Sequence, residues 1–538
     1  MALEQMTSAL GVKNAKHLLQ RATFGPTKAE IDDFAAKTPA QALSDLFQTQ
    51  TEPTRPASWN WYEVYAPGGT SFPRLTLVTR WWLGVMLKSG ANIREKLVWL
   101  LHVHFTTQKA AVSEATLLHQ QNVLFRKLAY DGPLNVKDLT KKICLDNAMM
   151  RFLNGNQNTK ARPQENFARE LLELYTVGRG RNVVQTDPGD YKVFKQTDIE
   201  QTTLLMTGFK VNEKFDNLDP DTGLPRAELR NHRQHNNDSK QFSNYFNNTT
   251  ITPDATLFDT DGNPTEGSMR KEVDDLIEML FQNTETAMHM CRRIYRFFCH
   301  YNITDDIDNN IIADLAQTYK DNNFNLQPVI ENLLGSKHFY DSANGSTNDD
   351  NYGVLIKSPL DLVLSAFRFL GVTQESQFDD FENNLDQLRS DLKNAGIDIY
   401  EPLDVAGYPA YHQDPIYNRA WISSTLLANR YDLVQEFIGT AMDMNDYGVT
   451  FDVINFFETT ISVPSDINVL LDELITYLLP AEISTERRGY FRSVLNEDFP
   501  DANWTTEWNN RTSTSSQVDA QLRKLLNAMM QSPEYQLF

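Results

Sequence analysis

Apolar residues recur at helical spacing in block after block of this chain, and the blocks are punctuated by helix start and stop signals. Residues 11–23 (GVKNAKHLLQRAT) read as a helix closed by a Gly25-Pro26 turn. Thr27, with Glu30 three places on, predicts a capping box for a second helix. Periodicity over 75–130 predicts further helices, broken near Thr106-Thr107 and stopped at Asp131-Gly132-Pro133, with another ending near Met150. Pro163 and the pair Gly178 and Gly180 bracket a helix over 164–177, and a short one is expected over 197–206. Residues 210–267, dense in Asn, Asp, Thr, Gly and Pro, predict loops and short strands. The helical pattern then resumes over 275–280, 288–300, 311–321, 326–334, 358–371, 381–395, 419–440, 467–478 and 517–531.

The expected fold class is mainly α, a multi-helix globular array with a loop-rich insertion containing short strands. Three regions are expected: 1–209, N-terminal and helical; 210–267, the insertion; and 268–538, C-terminal and helical, with a sub-boundary at the polar linker 341–352. Residues 51–72 and 400–418 read as loops rich in Pro and aromatic residues.

Charge removes several function classes. The chain carries 50 Lys and Arg against 71 Asp and Glu, a net charge of −21, which argues against nucleic acid as a partner. No apolar run approaches the length of a membrane span. The first 25 residues contain no apolar core of a secretory signal, so the chain as written is expected to be cytoplasmic or already processed. Cys291 and Cys299 are eight residues apart on a predicted helix, about 12 Å and too far to bridge, and Cys144 reads with them as a core thiol. There is no Walker A loop, GxGxxG, GxSxG or HExxH motif.

The helix over 164–177 (QENFARELLELYTV) carries the sharpest functional signal. At a constant α-helical pitch, Asn166, Arg169, Glu170 and Glu173 share a polar stripe of only about 100°, and most of the remaining surface is apolar. A free surface helix has a broader solvated face, so this stripe is expected to line a cleft or a polar network, where buried carboxylates need a partner or a metal. An i,i+4 pair between Arg169 and Glu173 would explain part of it without any function.

Two His clusters add candidates. His102 and His104, within REKLVWLLHVHFTT (94–107), are candidate ligands for a divalent metal if the helix ends between them. On one continuous helix they point about 200° apart and read as core histidines. The stretch His232 to Lys240 gathers two imidazoles, a carboxylate and an ammonium, of which His235 and Lys240 are the catalytic candidates. Asp219 to Gly223 and Asp259 to Glu266 place oxygen ligands at alternate positions, but calcium ranks below a turn there.

Taken together, HLLQRATFGPT (17–27), IREKLVWLLHVHFTT (93–107), ENFARELLELYTVG (165–178), the His235–Lys240 loop, KSPLDLVLSAFRFLG (357–371), NRAWISSTLLANR (418–430) and LLNAMMQSPEYQLF (525–538) resemble the bacterial family called domain of unknown function 1800, in wording closest to its Bacteroidetes branch. The family pattern places Asp directly after the loop His and Gly two places later, where this chain has Asn236 and Asp238. It also reads Gly-Trp where this chain has Gly407-Tyr408. The resemblance implies a largely helical protein without an established activity, often exported, whose gene often neighbours that of a sulfatase-like companion (domain of unknown function 1501). The expectation is a metal-assisted hydrolase or transferase acting on an extracytoplasmic polymer with that companion as partner. In it Glu170 or Glu173 serves as base or ligand, His102, His104 or His235 as ligand or acid, and Arg169 or Lys240 as anion holder. The alternative is a non-enzymatic binding or assembly protein whose polar residues form a structural network. A carbohydrate-binding scaffold using Tyr408, Tyr411, Tyr417 and Trp421 is a third reading.

Overall fold

A computed structural model describes residues 3–53, 72–130, 132, 135–181, 191–341, 351–374, 378–439, 449–497 and 499–538. It is mainly α-helical, and the described strands form three two-stranded antiparallel sheets. Two sheets fall where the composition predicts short strands. Phe209–Lys210 pairs with Glu228–Leu229, and Lys240–Gln241 pairs with Thr250–Ile251. The third, Thr373–Gln374 with Val449–Thr450, was not expected. The expected loop at 51–72 and the linker at 341–352 lie almost wholly outside the described residues.

Local chemistry explains the helix boundaries. Thr27 accepts from Glu30 N while Glu30 accepts from Thr27 N at 2.8 Å, so the predicted capping box opens Lys28–Ala35. Thr38 and Gln41 form a second box at Pro39–Leu46. The break expected near Thr106-Thr107 is the end of Arg94–His104. Among the described residues the C-terminal region holds four helices that the periodicity missed: the short Pro409–His412 within the expected 400–418 loop, Val453–Thr460, Thr485–Asn496 and Asp501–Asn509.

One buried apolar cluster runs from Leu3 to Tyr535 and takes residues from all three sequence regions. Sequence-distant helices close it: Gly11–Ala22 packs on Ile467–Leu478, and Phe72–Leu87 on Phe378–Asn394. At Gly25, with φ of +99°, a Cβ would lie 2.4 Å from Ser365 Cα, so only glycine lets this turn rest on helix Pro359–Phe369. Cys144, Cys291 and Cys299 are buried free thiols. Among the described residues no helix is long and apolar enough to cross a membrane.

The helix expected over 164–177 is two structures in succession. Asn166–Glu170 is α-helical, and Leu171–Tyr175 widens into a π-turn. The wider turn ends with Gly178 N donating to Leu172 O at 2.8 Å and Thr176 Oγ1 to Leu171 O at 2.6 Å. The constant-pitch wheel therefore fails from Leu171 onward. Inserted π-turns are frequent at functional sites.

Candidate functional site

The π-turn separates the fates of the two carboxylates. Glu173 is 3% exposed and is neutralised: its Oε1 accepts from Arg169 Nη1 at 3.3 Å, and its Oε2 from Arg179 Nε at 2.9 Å and Nη2 at 2.5 Å. Arg169 is further occupied by Glu165, Tyr191 and Gln196. Asn166 donates to Leu153 O at 3.3 Å. Three members of the expected stripe thus serve local structure.

Glu170 differs. It is 7% exposed, yet among the described residues no hydrogen bond or ion pair reaches its carboxylate. Burial, reinforced by the Glu173 charge, pushes its carboxyl up to about 7, against a partial pull downward from Arg179 and Arg169. At neutral pH it is divided between acid and base, the condition for proton transfer in either direction.

Its electrostatic surroundings include Tyr175 in the adjoining π-turn and Asp404 from far along the chain, and these in turn meet Arg293 and His412. Tyr175, at the end of the π-turn, feels the charges of Glu170 and Arg293, and its buried hydroxyl has no partner. Burial holds that phenol far above its ordinary range, so it is a neutral donor. Arg293, half-buried on helix Thr284–Phe298, donates to Val103 O at 3.1 Å and is lowered to about 10 by burial. Asp404 bears on Glu170 from the 400–418 loop and places Oδ1 3.4 Å from His412 Nε2. His412 is held below its ordinary value by burial and by Arg293, while Asp404 works in the opposite sense.

The expected His102–His104 metal pair does not converge. Both residues lie on the single helix Arg94–His104 and so face different neighbours. His102 is enclosed by the rings of Trp82, Trp99, Tyr400 and Tyr408, with Nε2 3.5 Å from Tyr408 Oη, and burial lowers it to about 3. His104 sets Nε2 3.2 Å from Tyr175 O, so it supports the π-turn, and burial with the Arg293 charge keeps it neutral. Among the described residues no group of three or more His, Cys, Asp or Glu is arranged to hold a metal ion.

The His235 loop forms a separate interior network. His235 Nε2 lies 2.9 Å from Glu272 Oε1, its Nδ1 lies 2.8 Å from Thr207 O, and Lys240 Nζ donates to Glu272 Oε2 at 2.5 Å. All three side chains are almost fully buried. Lys240 also donates to Asn236 O at 2.7 Å, so its ammonium is committed. The calcium-like loops are turns closed from within: Asp219 Oδ1 accepts from Thr222 N at 2.9 Å and pairs with Lys142, and Asp259 Oδ1 accepts from Asn263 N at 2.8 Å.

Fold and site together define a multi-helix protein with a buried, unpaired carboxyl at a π-turn. A family model described as "Protein of unknown function (DUF1800)" matches residues 17–537, nearly the whole chain, and the protein belongs to that family. Comparison with curated proteins and with solved structures gives no match.

Proposed function

We propose that the protein is an acid–base enzyme, a hydrolase or group transferase, in which Glu170 exchanges the proton with substrate. One observation carries this reading: Glu170 is a buried carboxyl, poised near neutrality, with no internal partner to account for its burial. Burying such a group costs stability, and proteins keep such costs where chemistry uses them. In this reading Tyr175, whose buried hydroxyl has no partner and feels the Glu170 charge, donates to charge developing on the substrate, and the Asp404–His412 pair serves as a second proton carrier. The expected metal-assisted form loses its His102–His104 ligand pair, so the proton chemistry is assigned to side chains. An extracytoplasmic polymer as substrate, and a sulfatase-like companion acting on the same polymer, complete the proposal as the setting the family resemblance implies.

The test compares wild-type protein with Glu170→Gln over a panel of ester-, glycoside- and sulfate-bearing polysaccharides, with product release read by mass spectrometry. Loss of a general acid–base group lowers the rate by about 10²–10⁴-fold. A polymer turned over equally by both proteins contradicts the assignment.

A second reading, a binding or assembly protein, is favoured by the His235–Lys240–Glu272 network and by the Glu173 pairs, which are satisfied within the fold. On that reading Glu170→Gln leaves partner binding intact and no polymer is altered by wild-type protein.

A further inference from the structure

Residues 154–164 (NGNQNTKARPQ) and 229–237 (LRNHRQHNN) contain no Asp or Glu, in a chain with 71 acidic residues. The fold lays these two stretches against each other. Lys160 N donates to Gln234 O at 2.7 Å, Gly208 N to Asn158 O at 3.0 Å, and Arg230 N to Gly208 O at 2.8 Å. The Arg230 guanidinium also reaches across to Asn156 O. Thr159 and Arg162 bond each other's backbone and close a tight turn that carries Lys160. Lys160, Arg162, Arg230 and Arg233 are thereby brought together on the two joined loops, and all are exposed.

Among the described residues none of these cations has a carboxylate within ion-pair distance. Cations nearby show the alternative. Arg169 is paired with Glu165 at 2.8 Å, Lys210 with Glu228 at 2.8 Å, and Arg226 with Asp219 at 3.3 Å. Lys240, on the same loop as Arg233, is turned inward onto Glu272. The acids that flank the two stretches are engaged elsewhere: Glu165 by Arg169 and Gln196, and Asp238 by the Asn236 amide at 3.1 Å. In a chain of net charge −21, these uncompensated cations form a positive island in a negative field.

The residue types select the partner. Free guanidinium and ammonium groups bind oxyanions. The exposed amides of Gln157, Gln164 and Asn231 on the same loops both donate and accept, as neighbouring hydroxyls require. The two stretches hold no Phe, Tyr, Trp, Ile, Val or Met, so a protein partner finds no apolar anchor and nucleic-acid bases find no aromatic platform. We propose that this surface binds an anionic polysaccharide, with its carboxylate or sulfate groups on Lys160, Arg162, Arg230 and Arg233 and its hydroxyls on the amides. Binding at an open surface needs no turnover, so the inference stands apart from the acid–base reading of Glu170.

Fluorescence polarisation with the full-length protein decides it, using a labelled oligouronate, a sulfated oligosaccharide, a neutral dextran oligosaccharide and an oligoglutamate peptide. The expected result is that one or both charged oligosaccharides bind more tightly than dextran and the peptide, the stronger naming the substituent, and that binding weakens as salt rises. Arg162→Gln combined with Arg233→Gln weakens it by about tenfold or more, and the corresponding pair of lysine substitutions retains part of it. Lys524→Gln, which removes an exposed charge from helix Val518–Met530, leaves it unchanged. Glu170→Gln binds as wild type does, even where turnover is lost, which separates failure of this surface from failure of the catalytic assignment. Absence of binding by both charged oligosaccharides, equal binding of dextran or of the peptide, or unchanged affinity in the folded double glutamine variant overturns the proposal. So does a loss in Lys524→Gln as large as the loss in that variant.

Discussion

Glu173 accepts hydrogen bonds from Arg169 and Arg179, whereas Glu170, three residues earlier, accepts none from either. Glu170 ends the α-helical turn, and Glu173 lies inside the π-turn that begins at Leu171. One becomes an ion-paired strut, and the other stays a mostly buried ionisable group without an internal partner. The contrast predicts how the protein responds to pH.

Glu170 binds its proton more tightly in the folded state, at about 7, than an ordinary carboxyl does near 4.5. Its contribution to stability is therefore full below the lower value and is lost as pH rises through the upper one. Glu170→Gln removes that loss. The variant is expected to gain about 1 kcal/mol over wild type at pH 8, after allowing for solvent screening, and nothing at pH 4. Paired urea unfolding at the two pH values checks this. Asp146, also raised to about 7 by burial, titrates in the same window, so the difference between proteins is the quantity to read.

The His235 network should behave as structure. Glu272→Gln leaves Lys240 buried beside a neutral amide, at an expected cost of about 3–5 kcal/mol. Denaturant midpoints measure that loss. Activity per folded molecule is expected to stay near wild type, and a selective fall in turnover with unchanged stability would return His235 and Lys240 to the catalytic set.

A second buried pair, on helix Arg94–His104, offers a comparison. Glu95 accepts from Arg126 and Tyr130, and from Trp82 Nε1 at 3.1 Å, with both charged side chains almost fully enclosed. Glu95→Gln strands the Arg126 guanidinium and is expected to lower stability by about 3 kcal/mol or more in urea unfolding.

Gly178 tests the support of the π-turn. Its φ is +74°, and a Cβ there would lie 2.4 Å from His289 Nδ1, while His289 Nε2 lies 3.0 Å from Leu174 O. Gly178→Ala is expected to cost about 1–3 kcal/mol through strain and displacement of that ring. Calorimetric melting measures the cost, and turnover should fall further than stability alone explains.

Much of this architecture was legible in the sequence, because helices announce themselves locally. Thr27 with Glu30, and the apolar spacing around His102, describe their surroundings within a few residues, and His102 proves to be the core imidazole that its apolar neighbours imply. The candidate site was legible only in part. Glu170 stood out on the polar stripe, but a wheel of constant pitch cannot show the π-turn that takes in Glu173 and leaves Glu170 before it. Asp404, which acts on it, and the Arg293 and His412 that Asp404 and Tyr175 meet are brought in by long-range packing, which no periodicity records. The doublet Arg292-Arg293 and the aromatic 400–418 loop were the available signals. Glu272 was missed because a single Glu on helix Glu266–Gln282 reads as part of a solvated face until His235 and Lys240 fold onto it.

The most direct measurement is the titration of Glu170 itself. Protein carrying 13C at the glutamate side-chain carboxyl is followed by NMR or infrared difference spectroscopy from pH 4 to 9, with Glu170→Gln identifying the signal. A carboxyl that ionises near 7 is the expected result. Ionisation in the ordinary carboxylate range, complete by pH 5, would contradict a proton-transfer role for Glu170.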